Sequence, residues 1–219
     1  MIATPSLPRV PHLQVIVLHV AMDADEAEAL AEEHQQGLSF RRLLFTDDAL
    51  AEALVERGWR DEPLVILGRD GALAPPVAQT LAEEVPYGHV RGLRREWIRS
   101  EPWATGEEEL RNAEDADRRL LAGTPTRAFA AFEQGRPLSY ALLLDDGVDG
   151  MLEDVYTTPL ARGRGLATGV IAAVLHAARA ERHECVYVPT AAGGKARVLY
   201  ERLGFEPLVI QHQLTKGRP

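Results

Sequence analysis

Apolar positions in the first part of the chain fall into short blocks separated by polar segments rich in alanine and glutamate. Residues 13–20 carry many β-branched side chains, which are typical of a buried strand. Residues 23–36 and 47–58 predict helices that close on glycine, with Asp23 or Asp25 as the N-cap of the first. Further strands are predicted over residues 41–45 and 64–68.

A second series of elements follows a proline-containing linker at residues 69–80. Residues 89–93 predict a strand, and the polar stretch 94–121 predicts two helices interrupted by a proline. Gln134 and Gly135 lie between two apolar runs and are typical of a hairpin turn. Further strands are predicted over residues 127–135, 137–147, 151–158, 184–190 and 206–214, a buried helix over 162–182 and a last helix over 194–204.

The chain contains an internal echo. Residues 54–67 and 199–210 both end a helix on glycine, continue with an aromatic residue and then read Glu-Pro-Leu-Val-Ile. Coincidence between two αβ units built by the same rules would produce this pattern, and so would descent from a repeat. We favour the repeat because the order of elements before each echo also matches. It divides the chain into a truncated first half, residues 1–80, and a second half, residues 81–219.

Composition and charge narrow the functional classes. The 219 residues carry a formal net charge of −9, which disfavours a general nucleic-acid binder because phosphate recognition needs a positive field. Apolar runs are far shorter than the ~20 residues that cross a bilayer, so we expect no membrane partner. Cys185 is the single cysteine, which excludes an intrachain disulfide and favours the cytoplasm. We interpret Cys185 as a small buried apolar side chain, and a nucleophile is the less favoured alternative.

The start of the predicted helix at residue 162 carries the clearest chemical signal. A helix N-terminus leaves main-chain N–H groups unpaired and concentrates positive potential, so it attracts anions. Gly163 and Gly165 keep side chains away from those groups, and Arg162 and Arg164 add positive charge. We interpret the segment as a pyrophosphate cradle. It lacks the lysine of a P-loop and the glycine spacing of a dinucleotide fingerprint, and a single RGRG in an acidic chain disfavours an RNA-binding segment.

Two motifs resemble the GNAT superfamily of acyl-CoA-dependent N-acetyltransferases. Residues 162–167 read RGRGLA and match the family's R/Q-x-x-G-x-G/A, and residues 196–205 read A-x-x-L-Y-x-x-x-G-F as in the family's later helix. The resemblance covers residues 152–205 closely. It implies an α/β fold with a mixed, mostly antiparallel central sheet and flanking helices, preceded here by a truncated GNAT-like half without a cofactor motif.

The resemblance implies a set of residues that bind acetyl-CoA. The family holds the CoA pyrophosphate on the amides of the glycine loop, and it pairs the pantetheine arm with its fourth strand, which splays from the fifth. Here these positions are Arg162, Gly163, Arg164, Gly165, Leu166, Ala167 and Thr168 for the loop, and Val155, Tyr156 and Thr157 for the strand. The family's asparagine near this arm is replaced by Gly193, which puts that one contact in doubt.

The resemblance also implies acid–base chemistry. Tyr200 stands at the motif's tyrosine, where the family places the acid that protonates the CoA thiolate; the alternative is a packing aromatic. Glu153, just before the pantetheine stretch, is the first candidate for the base that deprotonates the amine, and a salt-bridged carboxylate is the alternative. Asp154 is expected on the opposite face of the strand. A direct attack in a ternary complex is expected because Cys185 is remote from both motifs.

The acceptor is expected to be a primary amine on a small molecule or peptide. Trp97, Glu101 and Trp103 are candidates for its pocket, because aromatic and acidic groups suit a cation; the alternative is that both tryptophans pack between the halves. The histidines show no metal-ligand spacing, so no metal is expected, and the chain is expected to be a monomer or homodimer. A non-catalytic acyl-CoA-binding module, or transfer of a longer acyl group, remains the alternative function.

Overall fold

A computed structural model describes residues 2–3 and 14–217, and all strands of this part of the chain join one sheet. The strands are β1 (Ile2–Ala3), β2 (Gln14–Val17), β3 (Phe40–Phe45), β4 (Arg60–Asp61), β5 (Leu64–Asp70), β6 (Ala82–Val85), β7 (Thr126–Glu133), β8 (Arg136–Asp145), β9 (Gly150–Thr157), β10 (Cys185–Ala191) and β11 (Glu206–Gly217). The helices are α1 (Ala24–His34), α2 (Asp48–Glu56), α3 (Arg91–Ser100), α4 (Glu107–Gly123), α5 (Leu166–Glu181) and α6 (Lys195–Arg202).

The sheet runs in the order β1-β2-β3-β11-β5-β10-β9-β8-β7-β6, with β4 paired to β11. Its neighbours are antiparallel except for β2 with β3 and β9 with β10. The main core lies between the sheet and α5, where Val170, Ile171 and Val174 are fully buried. A smaller core joins α3 to β7, β8 and β9. This mixed, mostly antiparallel sheet with flanking helices confirms the predicted fold class.

Strand β5 connects the two predicted halves. It comes from the first half, yet it lies between β10 and β11 and is antiparallel to both. Its register with β10 is unbroken from Leu64 opposite Ala191 to Asp70 opposite Cys185. The sheet is therefore continuous across residue 80, and the division at that residue stays a prediction.

Local signals fixed most element ends where the sequence predicted them. Asp23 caps α1 in a reciprocal capping box with Glu26, whose main-chain N–H donates to the Asp23 carboxylate over 2.9 Å. Gln134 and Gly135 join β7 to β8 with φ values of 49° and 75°, the left-handed conformations that a tight hairpin turn requires. These predictions are confirmed.

One local prediction is wrong, and one strand was missed. Residues 89–93 form no strand: a short 3-10 turn ends at His89 and α3 begins at Arg91. Val90 and Leu93 are buried at a spacing of three, which suits one face of a helix. The sequence analysis also missed β6, a four-residue acidic strand that pairs with β7.

In the described part of the chain, no helix combines the length and the hydropathy that a bilayer span requires.

His212 on β11 joins two elements of the first half, β4 and α2. Its Nδ1 lies 2.7 Å from an Asp61 carboxylate oxygen on β4 and its Nε2 lies 2.8 Å from one of Asp48 on α2. Burial alone would lower the pKa of His212, but the hydrogen bonds and the negative charges of both aspartates outweigh it and raise the pKa. When it is protonated, the ring can donate to both carboxylates.

We predict that this bridge stabilises the fold in a pH-dependent way. A His whose folded pKa exceeds the unfolded value of about 6.5 contributes fully below that pH and loses its contribution as pH rises through the folded pKa. His212→Ala should therefore lower the free energy of unfolding in urea more at about pH 5.5 than at about pH 9. His19→Ala, at an exposed position, is the control. An equal loss for His212→Ala at both pH values would contradict the bridge.

Candidate functional site

The glycine loop before α5 has the open geometry of an anion site. Gly163 and Gly165 adopt φ values of 76° and 78°, a left-handed region that side-chain-bearing residues rarely adopt, and Gly165 is the N-cap of α5. The first main-chain bond into the helix runs from the N–H of Gly169 to the carbonyl of Gly165. The N–H groups of Leu166, Ala167 and Thr168 thus have no partner within the helix.

The arginines of the loop are held in place rather than free. Arg162 donates from Nε to the main-chain carbonyl of Thr157 over 3.1 Å, which ties the loop to the end of β9. Arg164 forms an ion pair with Glu133 at the end of β7. Both side chains remain exposed. The positive field at the loop therefore comes from the helix end together with Arg162, since Glu133 offsets Arg164.

The linker after β5 reaches this loop, a contact that the sequence did not indicate. The Thr80 hydroxyl lies 3.4 Å from the carbonyl oxygen of Arg164. A β-carbon added at Gly169 would come within 2.5 Å of the Thr80 carbonyl oxygen. The first turn of α5 can therefore carry only hydrogen at this position, because the linker backbone lies directly against it.

Strands β9 and β10 diverge beside the loop. They pair at Gly150 with Val186 and at Met151 with Tyr187, and among the described residues they pair nowhere beyond. The later part of β9 is held by β8 on its other edge, through Ser139 opposite Thr157. At residues 155–157 the edge of β9 away from β8 therefore faces an opening instead of a neighbouring strand, with the Thr157 carbonyl held there by Arg162. The predicted pantetheine positions, Val155, Tyr156 and Thr157, lie along this opening and lead to the glycine loop.

A β-bulge shapes β9 just before that opening. Tyr156 pairs with Tyr140 and Glu153 with Leu142, so that Asp154 and Val155 lie opposite a single residue of β8. Asp154 accommodates the bulge with a φ of 53°. Strict alternation of side chains, on which the sequence analysis placed Asp154 opposite Glu153, is thus interrupted here.

Glu153 has the electrostatic surroundings of a base. Burial, followed by the negative charge of Asp154, raises the pKa of Glu153 to about 7, while the Arg94 guanidinium opposes the shift. A carboxylate with this pKa changes protonation state near neutral pH, where a general base is most effective. Burial and the charge of Glu153 also raise the pKa of Tyr200, so the two groups lie close enough to interact.

Tyr200 is anchored at the end of α6. Its side chain is 5% exposed and its ring packs edge-on against Phe205, with ring centroids 5.7 Å apart. The raised pKa keeps the phenol protonated across the physiological range. Tyr200 is thus a packing aromatic that keeps its proton, and its role as the acid stays a prediction.

A buried ionic cluster on α3, which the sequence analysis missed, lies behind the bulge. Arg94 is 7% exposed and donates to both Asp117 oxygens, at 3.1 and 2.8 Å, and to Asp154 over 2.6 Å. The Tyr87 hydroxyl donates to Asp117 over 2.8 Å. These bonds hold the bulge of β9 against α3 and α4. A charged residue on a buried helix face was the signal, but nothing local in the sequence identifies its partners.

The predicted acceptor residues flank this cluster. Trp97 lies under the Arg94 guanidinium, 4.5 Å from ring centroid to Cζ. Trp97 and Trp103 pack against the core of α3 and α4, so they do not pack between the halves. Burial raises the pKa of Glu101, with the Arg94 charge opposing. The described residues thus bring Trp97 and Glu101 to the Arg94 cluster, and Trp103 to the end of α3.

Glu96, another residue missed from the sequence, marks the rim of the opening. Its carboxylate accepts hydrogen bonds from the hydroxyls of Tyr156 over 3.0 Å and of Thr158 over 2.7 Å. Burial and Glu96 together raise the pKa of Tyr156 to about 12. Helix α3 is thereby fixed to the end of β9.

Two further groups bear on the sequence analysis. Cys185 begins β10, next to the paired end of β9, and burial raises the pKa of its thiol, which fits a packing role. Asp145, Glu181 and His183 each bring one ligand atom within 4.8 Å of the others. Arg127 forms an ion pair with Glu181 there, and the expectation of no metal stays a prediction.

Several solved structures superpose on this chain. A protein of unknown function from Staphylococcus epidermidis ATCC 12228 superposes with a TM-score of 0.73 at 12% identity, covering 99% of this chain and 89% of its own. A GCN5-related N-acetyltransferase from Kribbella flavida superposes with a TM-score of 0.65 at 18% identity, covering 94% and 82%. A tandem GNAT protein from the clavulanic acid biosynthesis pathway gives 0.59 at 16% identity, covering 90% and 69%.

A search of curated proteins gave no match. At these identities the structural likeness establishes the fold, whereas the sequence itself establishes the family. The model of the acetyltransferase (GNAT) family matches residues 90–205, more than half of the chain and the part that carries the glycine loop, the diverging strands and Tyr200. The chain therefore belongs to the GNAT family of acetyltransferases.

Proposed function

We propose that this protein transfers an acetyl group from acetyl-CoA to a primary amine by direct attack in a ternary complex. The observation that carries the proposal is the opening between β9 and β10, which lies between the glycine loop and the paired end of β9, where Glu153 is found. Strand divergence, free amides and two titratable groups with shifted pKa values meet at one place. That combination suits acyl transfer more specifically than any one of them.

The donor groups of the cleft fit a CoA thioester. The amides of Leu166, Ala167 and Thr168, reached over the exposed Gly163 and Gly165, suit a diphosphate because they are unpaired within α5. The open main chain of residues 155–157 suits an amide-containing arm, which can pair with it as a strand would. The thioester supplies an activated acyl carbon when it is bound.

Glu153 and Tyr200 supply the two proton transfers. Glu153 accepts a proton from the acceptor ammonium, which frees the nitrogen lone pair to form the new C–N bond while the C–S bond breaks. The second proton that the nitrogen loses as it becomes an amide restores the phenol of Tyr200 after Tyr200 has protonated the thiolate. Tyr200 donates a proton to the departing thiolate, and its raised pKa ensures that the proton is present. Direct attack needs no enzyme thiol, which agrees with the position and raised pKa of Cys185.

The acceptor side favours a cationic amine on a small molecule or peptide. Trp97, Glu101 and Trp103 are the proposed residues for the α3 side of the acceptor pocket, and Glu96 adds a further carboxylate on α3. Release of CoA thiol with a panel of amines would identify the acceptor. Release with none of them, despite binding, would favour the acyl-CoA-binding alternative, and preference for longer thioesters would favour the longer acyl group.

We still expect the protein to lie in the cytoplasm, to be a monomer or homodimer and to bind neither nucleic acid nor a membrane. The repeat origin of the first half also stays an expectation.

Gly165→Asp should abolish binding of CoA. The substitution places a carboxylate against the diphosphate, and a like-charge contact of several kcal/mol corresponds to a loss on the order of 100-fold or more in affinity by titration calorimetry. Gly37→Asp is the matched control, because Gly37 has a similar φ of 84°, open space around it and a place in the first half. Unchanged affinity in Gly165→Asp would overturn the proposed diphosphate site.

Glu153→Gln should remove the dependence of kcat/KM on the ionisation of Glu153. Because Glu153 must be ionised to accept a proton, kcat/KM of the native protein should fall as pH drops below about 7. The variant should lose this limb and roughly 100-fold or more in rate at neutral pH. The control is Glu83→Gln on β6, an exposed carboxylate. A variant that keeps the native pH profile would exclude Glu153 as the base.

Tyr200→Phe should lower kcat by roughly 100-fold while leaving KM for acetyl-CoA nearly unchanged, because only the departing thiolate needs the phenolic proton. Tyr187→Phe on β10 removes a hydroxyl from the neighbouring strand and serves as the control. Steady-state kinetics at saturating acceptor measures the effect. Full activity of Tyr200→Phe would assign Tyr200 to packing alone.

A further inference from the structure

Arg69 is a buried cation that reaches from the first half into the second. It lies in β5, is 7% exposed, and makes three hydrogen bonds within the described chain, all to main-chain carbonyl oxygens. Its Nε donates to Leu203 over 3.0 Å at the end of α6. Its two Nη atoms donate to Leu73 over 3.4 Å and to Ala74 over 2.6 Å in the linker.

Burying a guanidinium costs free energy, and here the hydrogen bonds that offset this cost go to main-chain carbonyls. A charge removed from water must recover its hydration energy from hydrogen bonds and nearby dipoles. The carbonyl end of a helix carries negative potential, and Leu203 is the C-cap residue of α6. Arg69 therefore stabilises the last turn of α6, and its planar fork can hold this turn and the linker together.

The turn that Arg69 holds is the turn that carries Tyr200. The Tyr200 carbonyl accepts the N–H of Leu203 over 2.9 Å and the N–H of Phe205 over 3.1 Å. Gly204 lies between them with a φ of 86°, and a β-carbon there would come within 3.4 Å of the Arg69 Nε. Arg69, Leu203 and Tyr200 thus form one continuous chain of main-chain and side-chain bonds.

We propose that Arg69 is a positioning residue for Tyr200, and that β5 gives the first half a role in catalysis by placing it. The inference rests on the proposed function of Tyr200 as acid. Strand β5 delivers Arg69 because it is inserted between β10 and β11, the strands on either side of α6 in sequence. Without the hydrogen bond from the Arg69 Nε to the Leu203 carbonyl, the last turn of α6 becomes more mobile and the Tyr200 phenol loses its fixed position.

A double-mutant cycle tests this inference. Arg69→Gln should lower kcat by roughly tenfold, since a misplacement of about 1 Å costs up to about 100-fold, and it should leave KM for acetyl-CoA unchanged. In a Tyr200→Phe background the same substitution should have no further effect, because Arg69 acts through the missing hydroxyl. Arg69→Lys keeps the charge but loses the fork and should fall between Arg69→Gln and the native protein.

Controls separate this inference from loss of fold and from the proposed function. Arg60→Gln removes an exposed arginine of the first half and should change nothing. Multiplied losses of kcat in the Arg69→Gln, Tyr200→Phe double variant would overturn the role of Arg69 while leaving that of Tyr200 intact. Full activity of Tyr200→Phe would instead overturn the proposed acid. Should Arg69→Gln fail to fold by thermal melting, Arg69→Lys in both backgrounds gives the same comparison.

Discussion

The two edges of strand β10 are paired to different extents, and this difference shapes the site. Strand β10 pairs along its whole length with β5, but it pairs with β9 at only two residues. A strand twisted to follow β5 cannot also follow β9, whose bulge at Asp154 bends it toward α3. Arg162 donates to the Thr157 carbonyl at this edge, and an extended ligand can pair with the main-chain groups that face no neighbouring strand.

The groups of the candidate site lie in different electrostatic surroundings, which suit them to different proposed roles. The chain is acidic overall, yet it presents the positive end of α5 where a diphosphate would lie. A few residues away, burial and Asp154 keep Glu153 near its point of half-protonation, while the same burial keeps Tyr200 protonated. Arg94 limits the rise in the pKa of Glu153, so the ionic cluster on α3 influences the proposed base as well as the shape of β9.

The sequence predicted what depends on neighbours along the chain. The N-cap Asp23, the left-handed turn at Gln134 and Gly135, and the open loop at Gly163 and Gly165 follow from local chemistry, and the motif spacing led to Tyr200. Contacts set by tertiary packing were out of reach. The position of β5, the partners of Arg94 and the bulge at Asp154 each depend on residues distant in sequence, and the buried pair Val90 and Leu93 was read with the wrong period.

The last strand of the sheet, β6, has features that disfavour pairing with a strand from another molecule. An outer strand offers unpaired main-chain groups that invite a strand from another molecule. In β6 this rim is only four residues long and carries Glu83 and Glu84, the latter ion-paired with Arg127. The short length of β6 and the charge of Glu83 both disfavour the addition of another strand at this rim.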